Sequence, residues 1–169
     1  RETLMDISGR SRKTQFQMAK EFGIKEYPSP AGGCLLTDKL FSEKLRDLME
    51  VQIIFDKREL HLLKYGRHFR LDSRTKVIVG RSQQDNELLM AYYQKQEDVL
   101  FKHGVLPGPD VILTGTASPE NIETAASICA AYTKSPEEQT TPVHFMKNGI
   151  ISRIMVKKTG HQAFKPLMI

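Results

Sequence analysis

The pattern of hydrophobic and polar positions over residues 76–89 is a short apolar run followed by an amphipathic stretch. The first four of these residues predict a buried strand, in which Val77 and Val79 face one side and Ile78 faces the other. Apolar residues then recur at helical spacing, which predicts an amphipathic helix that starts near Gln83. A strand that turns sharply into a helix is therefore the feature around which we expect the rest of the chain to be arranged.

Similar patterns divide the remainder of the chain into short helices and strands. Apolar spacing and N-cap residues predict helices over residues 12–22, 43–49, 56–65 and 118–132. Alternation predicts a strand over residues 67–71, and further strands are predicted over residues 75–79, 99–101, 111–114, 143–146 and 151–156, with hairpin turns at Asp72-Ser73 and Asn148-Gly149. The predicted fold class is α+β: a small mixed or antiparallel sheet with flanking helices, preceded by a helical N-terminal segment. We expect a helical segment over residues 1–65 and a sheet domain over residues 66–169.

The composition limits the number of domains and the cellular location that we expect for the protein. The 169 residues are 40% hydrophobic, which is enough for a real core in one domain or in one domain with a smaller attached piece. No apolar run is long enough to cross a membrane and no signal sequence opens the chain, so we expect no membrane partner. Two distant cysteines without a secretory signal predict a reduced, cytoplasmic setting. The chain begins with Arg1 rather than Met, which predicts a fragment or a processed product.

The net charge of +5 is distributed unevenly along the chain. Residues 61–81 contain six Lys or Arg against one Asp, and residues 143–169 contain five against none. Residues 82–142 between them contain three Lys or Arg against nine Asp or Glu. If the fold brings the two basic blocks together, they form one positive face that attracts phosphates. The alternative is two solvated surfaces that pair with the acidic middle.

The turn between the central strand and its helix is a candidate phosphate site. Gly80 permits a tight turn and leaves the following amides open to a partner. Arg81 then stands beside the first turn of a helix, where N–H groups and the helix dipole favour an anion. A plain connection between strand and helix, with no ligand, is the alternative.

A predicted hairpin over residues 67–81 carries many cations. We expect Arg67, Arg70, Arg74 and Lys76 on its outward side, with His68 and Phe69 nearby. Cations beside aromatic rings suit a single-stranded or irregular RNA, which is held through backbone contacts and stacking. Protection of an edge strand by charge is the alternative.

Several motifs in this region resemble one known family. They are Val79-Gly80-Arg81, Asn86-Glu87-Leu88-Leu89, Asp98-Val99-Leu100-Phe101, Pro107-Gly108, Val111-Ile112-Leu113, the Ala-rich helix over residues 123–132, and Pro142-Val143-His144-Phe145. Their order over residues 76–169 is similar to that of NFACT-R, the RNA-binding domain of ribosome quality-control factors of the fibronectin-binding-protein type. Where the family has an aromatic residue, a histidine and a Ser-His pair, this sequence has Leu100, Lys102, Pro109 and Asp110. The resemblance implies an RNA-binding domain.

Residues 4–36 resemble a second family. Ser-Gly-Arg-Ser-Arg at residues 8–12, followed by Pro-Ser-Pro-Ala-Gly-Gly-Cys at residues 28–34, looks like the tail of PP-loop tRNA sulfurtransferases. The resemblance implies that Cys34 is a catalytic sulfur carrier. The family's pyrophosphate loop, Ser-Gly-Gly-x-Asp-Ser, is absent from this sequence. We therefore expect no cofactor in this chain, and ATP in a domain upstream of it. No set of His, Cys, Asp and Glu has metal-ligand spacing.

These observations predict an RNA-binding, and specifically tRNA-binding, C-terminal module of a tRNA-thiolation-type protein. The expected partners are tRNA or another structured RNA, together with a sulfur-donor protein. The residues expected to bind RNA are Arg10, Arg12, Lys13, Arg67, Arg70, Arg74, Lys76, Gly80, Arg81, Asn86, Lys102, Lys147, Lys157 and Lys158. Two alternatives are a sulfurtransferase catalytic fragment that uses Cys34 and a ribosome-associated adaptor without chemistry.

Overall fold

The computed structural model describes residues 12–25, 34–52 and 54–169. The chain divides into two compact units, Arg1–Cys34 and Leu35–Ile169. Within the described part of the first unit, helix α1 spans Lys13–Glu21, close to the predicted helix over residues 12–22. Phe16 in this helix and Phe22 at its C-cap are exposed rather than packed in a core, at 38% and 72% exposure.

The second unit contains a sheet and four α-helices in the described residues. The helices are α2 (Lys39–Val51), α3 (Lys57–Leu62), α4 (Gln83–Tyr92) and α5 (Pro119–Ala131). The strands are β1 (Arg67–Asp72), β2 (Thr75–Val79), β3 (Val99–His103), β4 (Val111–Thr114), β5 (Thr140–Lys147) and β6 (Ile150–Lys157). Short 3₁₀ helices span Leu35–Thr37 and His161–Leu167.

The six strands form one sheet in the order β1-β2-β4-β3-β5-β6, and every neighbouring pair is antiparallel. The predicted α+β fold is therefore confirmed, with an antiparallel sheet. The hairpin between β5 and β6 turns at Asn148 and Gly149, whose φ angles are 52° and 83°. Two consecutive residues with positive φ match the twist of a tight hairpin, which explains why this Asn-Gly pair predicts it from sequence.

Helices cover both faces of the sheet. On one face, Val77, Val79 and other side chains of alternate strand positions pack against α5, which buries Ala126 and Cys129. On the other face, Ile78 packs with Leu62 of α3 and with side chains of α4. The predicted separation of Val77 and Val79 from Ile78 is therefore observed, because successive strand residues point to opposite sides.

Side-chain caps fix where the helices begin. Ser82 accepts a hydrogen bond from the Asp85 amide at the start of α4, and Ser118 caps α5 with Pro119 at its first position. Asp56 and Glu59 form a capping box at the start of α3. The caps at Asp56 and Ser118 lie at the residues predicted from the sequence, whereas Ser82 was not predicted as a cap.

Helices α2 and α3 are attached to the sheet by polar contacts. The buried Lys44 ammonium donates to the Leu63 and Gly66 carbonyls, and Arg58 forms an ion pair with Asp98. The predicted division at residue 65 stays a prediction. In the described part of the chain, no helix is both long and apolar enough to span a bilayer.

Candidate nucleic-acid interface

A groove runs between the N-terminus of α4 and the loop that joins β3 to β4. Two adjoining cavities of about 510 and 560 Å³ form it, and both are lined by Gln83, Asn86 and the Pro107, Gly108 and Pro109 loop. The first cavity also contacts Arg67, Gly80, Arg81, Ser82, Tyr132 and Lys134. The second extends past Glu87, Met90, Lys102, His103, Leu106 and Asp110. The groove therefore brings together five of the predicted RNA-binding residues.

Close backbone packing at Gly80 builds the floor of this groove. The Gly80 amide donates to the Asp110 carbonyl at 3.0 Å, and the Asp110 amide donates to Asn86 Oδ1 at 3.1 Å. A Cβ atom on Gly80 would overlap Asn86 Oδ1. Gly80 and Asn86 thus couple the start of α4 to the start of β4, so their first role is to shape the groove.

The predicted phosphate seat at Gly80-Arg81 is filled by a carboxylate of the chain itself. Arg81 donates to Asp85 Oδ2 through Nε at 2.7 Å and through its amide at 3.2 Å, and the Gly66 amide donates to the same oxygen. Burial alone would raise the pKa of Asp85, but these hydrogen bonds outweigh it and the pKa lies below its ordinary value. The expectation that the amides after Gly80 stay open is therefore wrong for Arg81. Its exposed guanidinium still lines the groove.

Arg67 and Tyr132 form the wall at the other end of the first cavity. The Arg67 guanidinium lies 5.0 Å from the centre of the Tyr132 ring, in cation–π geometry. Lys134, just beyond the end of α5, is exposed at the same wall. The sequence placed Tyr132 only in a buried helical stripe and did not single out Lys134. Nothing in the periodicity distinguishes a residue that ends a helix beside a groove from one that ends it in solvent.

Lys102 and Asp110 occupy the second cavity as an ion pair, with 2.8 Å between Nζ and the carboxylate. Both residues stand at positions where the sequence departs from the NFACT-R pattern. The two residues pair with each other, and the Lys102 side chain stays exposed next to the Pro-Gly loop.

The basic hairpin is divided between two faces of the sheet. Arg67 lies on the α5 face, whereas Arg70 pairs with Asp47 of α2 on the opposite face. Residues three apart in a strand point to opposite sides, so the expectation of one outward row is wrong. Lys76 is only 5% exposed, and His68 and Phe69 are fully buried, which leaves neither ring available for stacking.

The predicted RNA-binding cations of the C-terminal block lie on or just after β5 and β6, at the other edge of the sheet. Lys147 donates to the Ala117 carbonyl at 3.4 Å and Lys157 pairs with Glu138. The Lys158 ammonium is buried and donates to the carbonyls of Thr133 and Ser135, so the expectation that it decorates the hairpin surface is wrong. The strands of the two basic blocks are therefore separated, with β4 and β3 between β2 and β5, whereas the 3₁₀ helix that carries Lys165 of the second block contacts β1.

Three of the predicted site residues in the first unit are among the described residues. Arg12 and Lys13 are exposed at the start of α1, and Arg10 lies outside the described residues. Cys34 is exposed. Cys129, in contrast, is buried in α5, and desolvation together with Asp110 raises the pKa of its thiol to about 12. Within the described ranges, no group of three His, Cys, Asp or Glu could hold a metal ion.

Comparison with known proteins matches the chain to a family of RNA-binding domains. A family model described as the NFACT protein RNA binding domain matches residues 66–165. Among solved structures, the C-terminal region of the fibronectin/fibrinogen-binding protein from Streptococcus suis is similar in fold, with a TM-score of 0.53 and 19% sequence identity. The match covers 76% of this chain and 59% of that one, so the chain spans about three-fifths of that structure. No curated protein matches the sequence.

Proposed function

Because the chain belongs to the family of NFACT RNA-binding domains, we propose that it binds tRNA or another structured RNA in the groove beside α4. One observation carries the proposal. The groove collects Arg67, Arg81, Lys102 and Lys134 along one channel that is walled by a rigid Pro-Gly-Pro loop. Cations that line a channel bind a nucleic-acid backbone, because each phosphate contact releases condensed counterions.

The shape of the groove supports an RNA with unpaired nucleotides. The Arg67 guanidinium is already stacked on Tyr132 and is half-buried, so its planar face and that of the ring are fixed in position. Fixed planar groups beside exposed ammonium groups suit a base and its phosphate at once. A regular duplex would present only phosphates to such a site.

The test is binding of tRNA and of duplex DNA across a salt series. Replacing Arg67 and Lys134 by Ala should weaken tRNA binding several-fold and lower the salt slope by about 1 for each lost phosphate contact. The matched control is Lys157→Ala, because Lys157 is an exposed cation at the far edge of the sheet. Equal weakening by the control, or none by the groove variants, would place the RNA elsewhere.

Arg70→Ala separates this site from the hairpin surface predicted from sequence. Since Arg70 pairs with Asp47 on the opposite face from Arg67, its loss should leave the salt slope unchanged. A smaller slope in Arg70→Ala would instead support an RNA path over the hairpin.

We further propose that the chain is the C-terminal module of a tRNA-thiolation-type protein, in which Cys34 carries the sulfur. The support is the resemblance over residues 4–36 together with the exposed position of Cys34. In the full-length protein, Cys34→Ser should abolish thiolated nucleosides in bound tRNA while tRNA affinity is kept. Cys129→Ser is the control for the loss of a buried thiol. Unchanged thiolation in Cys34→Ser, with selective sedimentation of the protein with ribosomes, would favour an adaptor without chemistry.

A further inference from the structure

A separate cavity, of about 400 Å³, lies at the other end of β2 and β4 from the groove. The C-terminal part of α2, the start of α3, the turn between β1 and β2 and the end of β4 enclose it. Its charged lining residues are Asp56, Arg58, Glu59, Arg70, Arg74, Lys76, Glu97 and Asp98. The volume is in the range that holds a small ligand.

Lys76 differs from the other buried lysines of the described chain. The ammonium groups of Lys44 and Lys158 each donate to two backbone carbonyls. The Lys76 side chain is 5% exposed and lines the cavity, yet no hydrogen bond or ion pair to its ammonium is found among residues 12–25, 34–52 and 54–169. The Lys76 side chain is buried but its ammonium opens to the cavity, where a counter-ion can reach it.

The cavity lining holds four cations and four carboxylates, and Lys76 and Arg74 are the cations without an ion pair within the described residues. Lys76 lies directly opposite Arg70 in the antiparallel pair of β1 and β2, and like charges in this position repel. Asp47 neutralises Arg70. The Arg74 guanidinium, at the adjoining turn, lines the same cavity and has no ion pair within the described residues.

Most of the carboxylates that line the cavity accept hydrogen bonds from other residues of the chain. Asp98 accepts from Arg58 and from the Gln94 amide. Glu59 accepts from the Asp56 amide and from Gln52, within the capping box of α3. These contacts hold the acids at the wall and leave the cations of β2 and the turn as the groups that can receive a ligand.

We propose that this cavity binds the phosphate or carboxylate group of a small ligand, held by Lys76 and Arg74. The oxyanion occupies the space in front of the Lys76 ammonium and removes its repulsion with Arg70. The site is independent of the RNA groove, and it gives Lys76 and Arg74 a role other than the RNA contact predicted from sequence.

The pH dependence follows from the groups around the ammonium. Desolvation and the Arg70 charge lower the pKa of Lys76 to about 8. The groups that face it are Arg70, Asp47, Glu59 and Lys44, together with the charged residues that line the cavity. Above pH 8 phosphate stays doubly charged while Lys76 loses its proton, so phosphate affinity should fall as the pH rises from 8 to 10.

The experiment measures thermal unfolding of the whole chain with inorganic phosphate, against chloride at equal ionic strength. Phosphate should raise the midpoint of the wild type by a few degrees. Lys76→Met should lose this shift, and its ligand-free form should unfold at a higher temperature than the ligand-free wild type because an unpaired buried charge is gone. Lys76→Arg, which keeps the charge, should retain part of the shift. Lys95→Met, at an exposed lysine, is the control.

Two further measurements distinguish binding at this site from binding in the groove. A variant with Ala at both Arg67 and Lys134 should keep the phosphate shift even though it binds tRNA weakly. Acetate should produce a smaller shift at the same site if a carboxylate is accepted. The proposal is overturned if phosphate does not stabilise the wild type, if Lys76→Met shows the same shift, or if the double groove variant loses it.

Discussion

At the scale of single residues, local packing decides what a glycine or a lysine does. Gly80 has an ordinary backbone conformation, and its importance comes from the side chain of Asn86 pressed against its Cα. Lys44, Lys76 and Lys158 are all buried, but only the first and last have carbonyl partners among the described residues. Their sequence contexts do not distinguish them, because the partners come from distant parts of the chain.

Replacing Gly80 by Ala should lower the free energy of unfolding by about 1–3 kcal/mol. The new methyl group would displace Asn86 and break its hydrogen bond from the Asp110 amide, which leaves a buried donor unsatisfied. Urea denaturation measures the effect. Gly160→Ala is the matched control, because its Cβ would meet only the Glu137 carboxylate at an ordinary contact distance of 3.5 Å. Similar stability of the two variants would contradict the role given to Gly80.

At the scale of elements, α3 is held against the sheet by one buried ion pair. Arg58 donates to the Tyr92 carbonyl at 2.7 Å and pairs with Asp98, whose side chain is 1% exposed. Burial raises the pKa of Asp98 and the hydrogen bonds from the Gln94 amide and Arg58 oppose that rise. The pair therefore joins the start of α3 to the end of α4 and the start of β3.

Arg58→Met should destabilise the protein by roughly 3 kcal/mol, because it leaves the Asp98 carboxylate buried without its counter-ion. Lys157→Met removes one member of an exposed pair with Glu138 and should change stability by less than about 1 kcal/mol. Denaturant titration at neutral pH compares the two. A small effect of Arg58→Met would mean that water or another cation replaces the guanidinium.

At the scale of the whole molecule, the protonation of two histidines makes the free energy of unfolding depend on pH. Burial lowers the pKa of His68 well below its usual value, with the Lys44 and Lys76 charges acting in the same direction. Burial also lowers the pKa of His103, whose Nδ1 accepts the amides of Val105 and Leu106. Both rings are therefore neutral in the folded chain near neutral pH.

Stability should fall as the pH drops below about 6.5. In the unfolded chain both histidines take up protons near that value, whereas the folded chain takes them up only at lower pH. The unfolded state then binds more protons, so the free energy of unfolding decreases with falling pH and is constant above 6.5 as far as these groups are concerned. Urea denaturation between pH 7.5 and 5 measures it, and His103→Gln should flatten the slope. A flat profile for the wild type would contradict the neutral assignment.

The strand order also decides how charge is distributed over the molecule. The strands of the two basic blocks, β1–β2 and β5–β6, lie at opposite edges of the sheet, and the C-terminal segment that carries Lys165 returns to β1. Charge along a sequence becomes a surface only through the order of the strands, which depends on long-range pairing. The cations that do meet in the groove come instead from β1, β3, the start of α4 and the end of α5.

The sequence by itself determined the elements and their buried sides. Caps at Asp56 and Ser118, the Asn148-Gly149 turn and the opposite sides of Ile78 and its neighbours all act between near neighbours, so they can be identified without knowledge of the fold. The family motifs likewise identified the RNA-binding domain that the match over residues 66–165 shows.

Only the tertiary structure decided which polar groups meet. The pairing of Arg81 with Asp85, the burial of Lys76 and Lys158, and the position of Lys134 at the groove depend on contacts that local patterns do not encode. A cation on an amphipathic pattern is expected in water, because desolvation is costly. The elements that pack over the cation decide whether its charged group contacts water, a backbone carbonyl or a cavity.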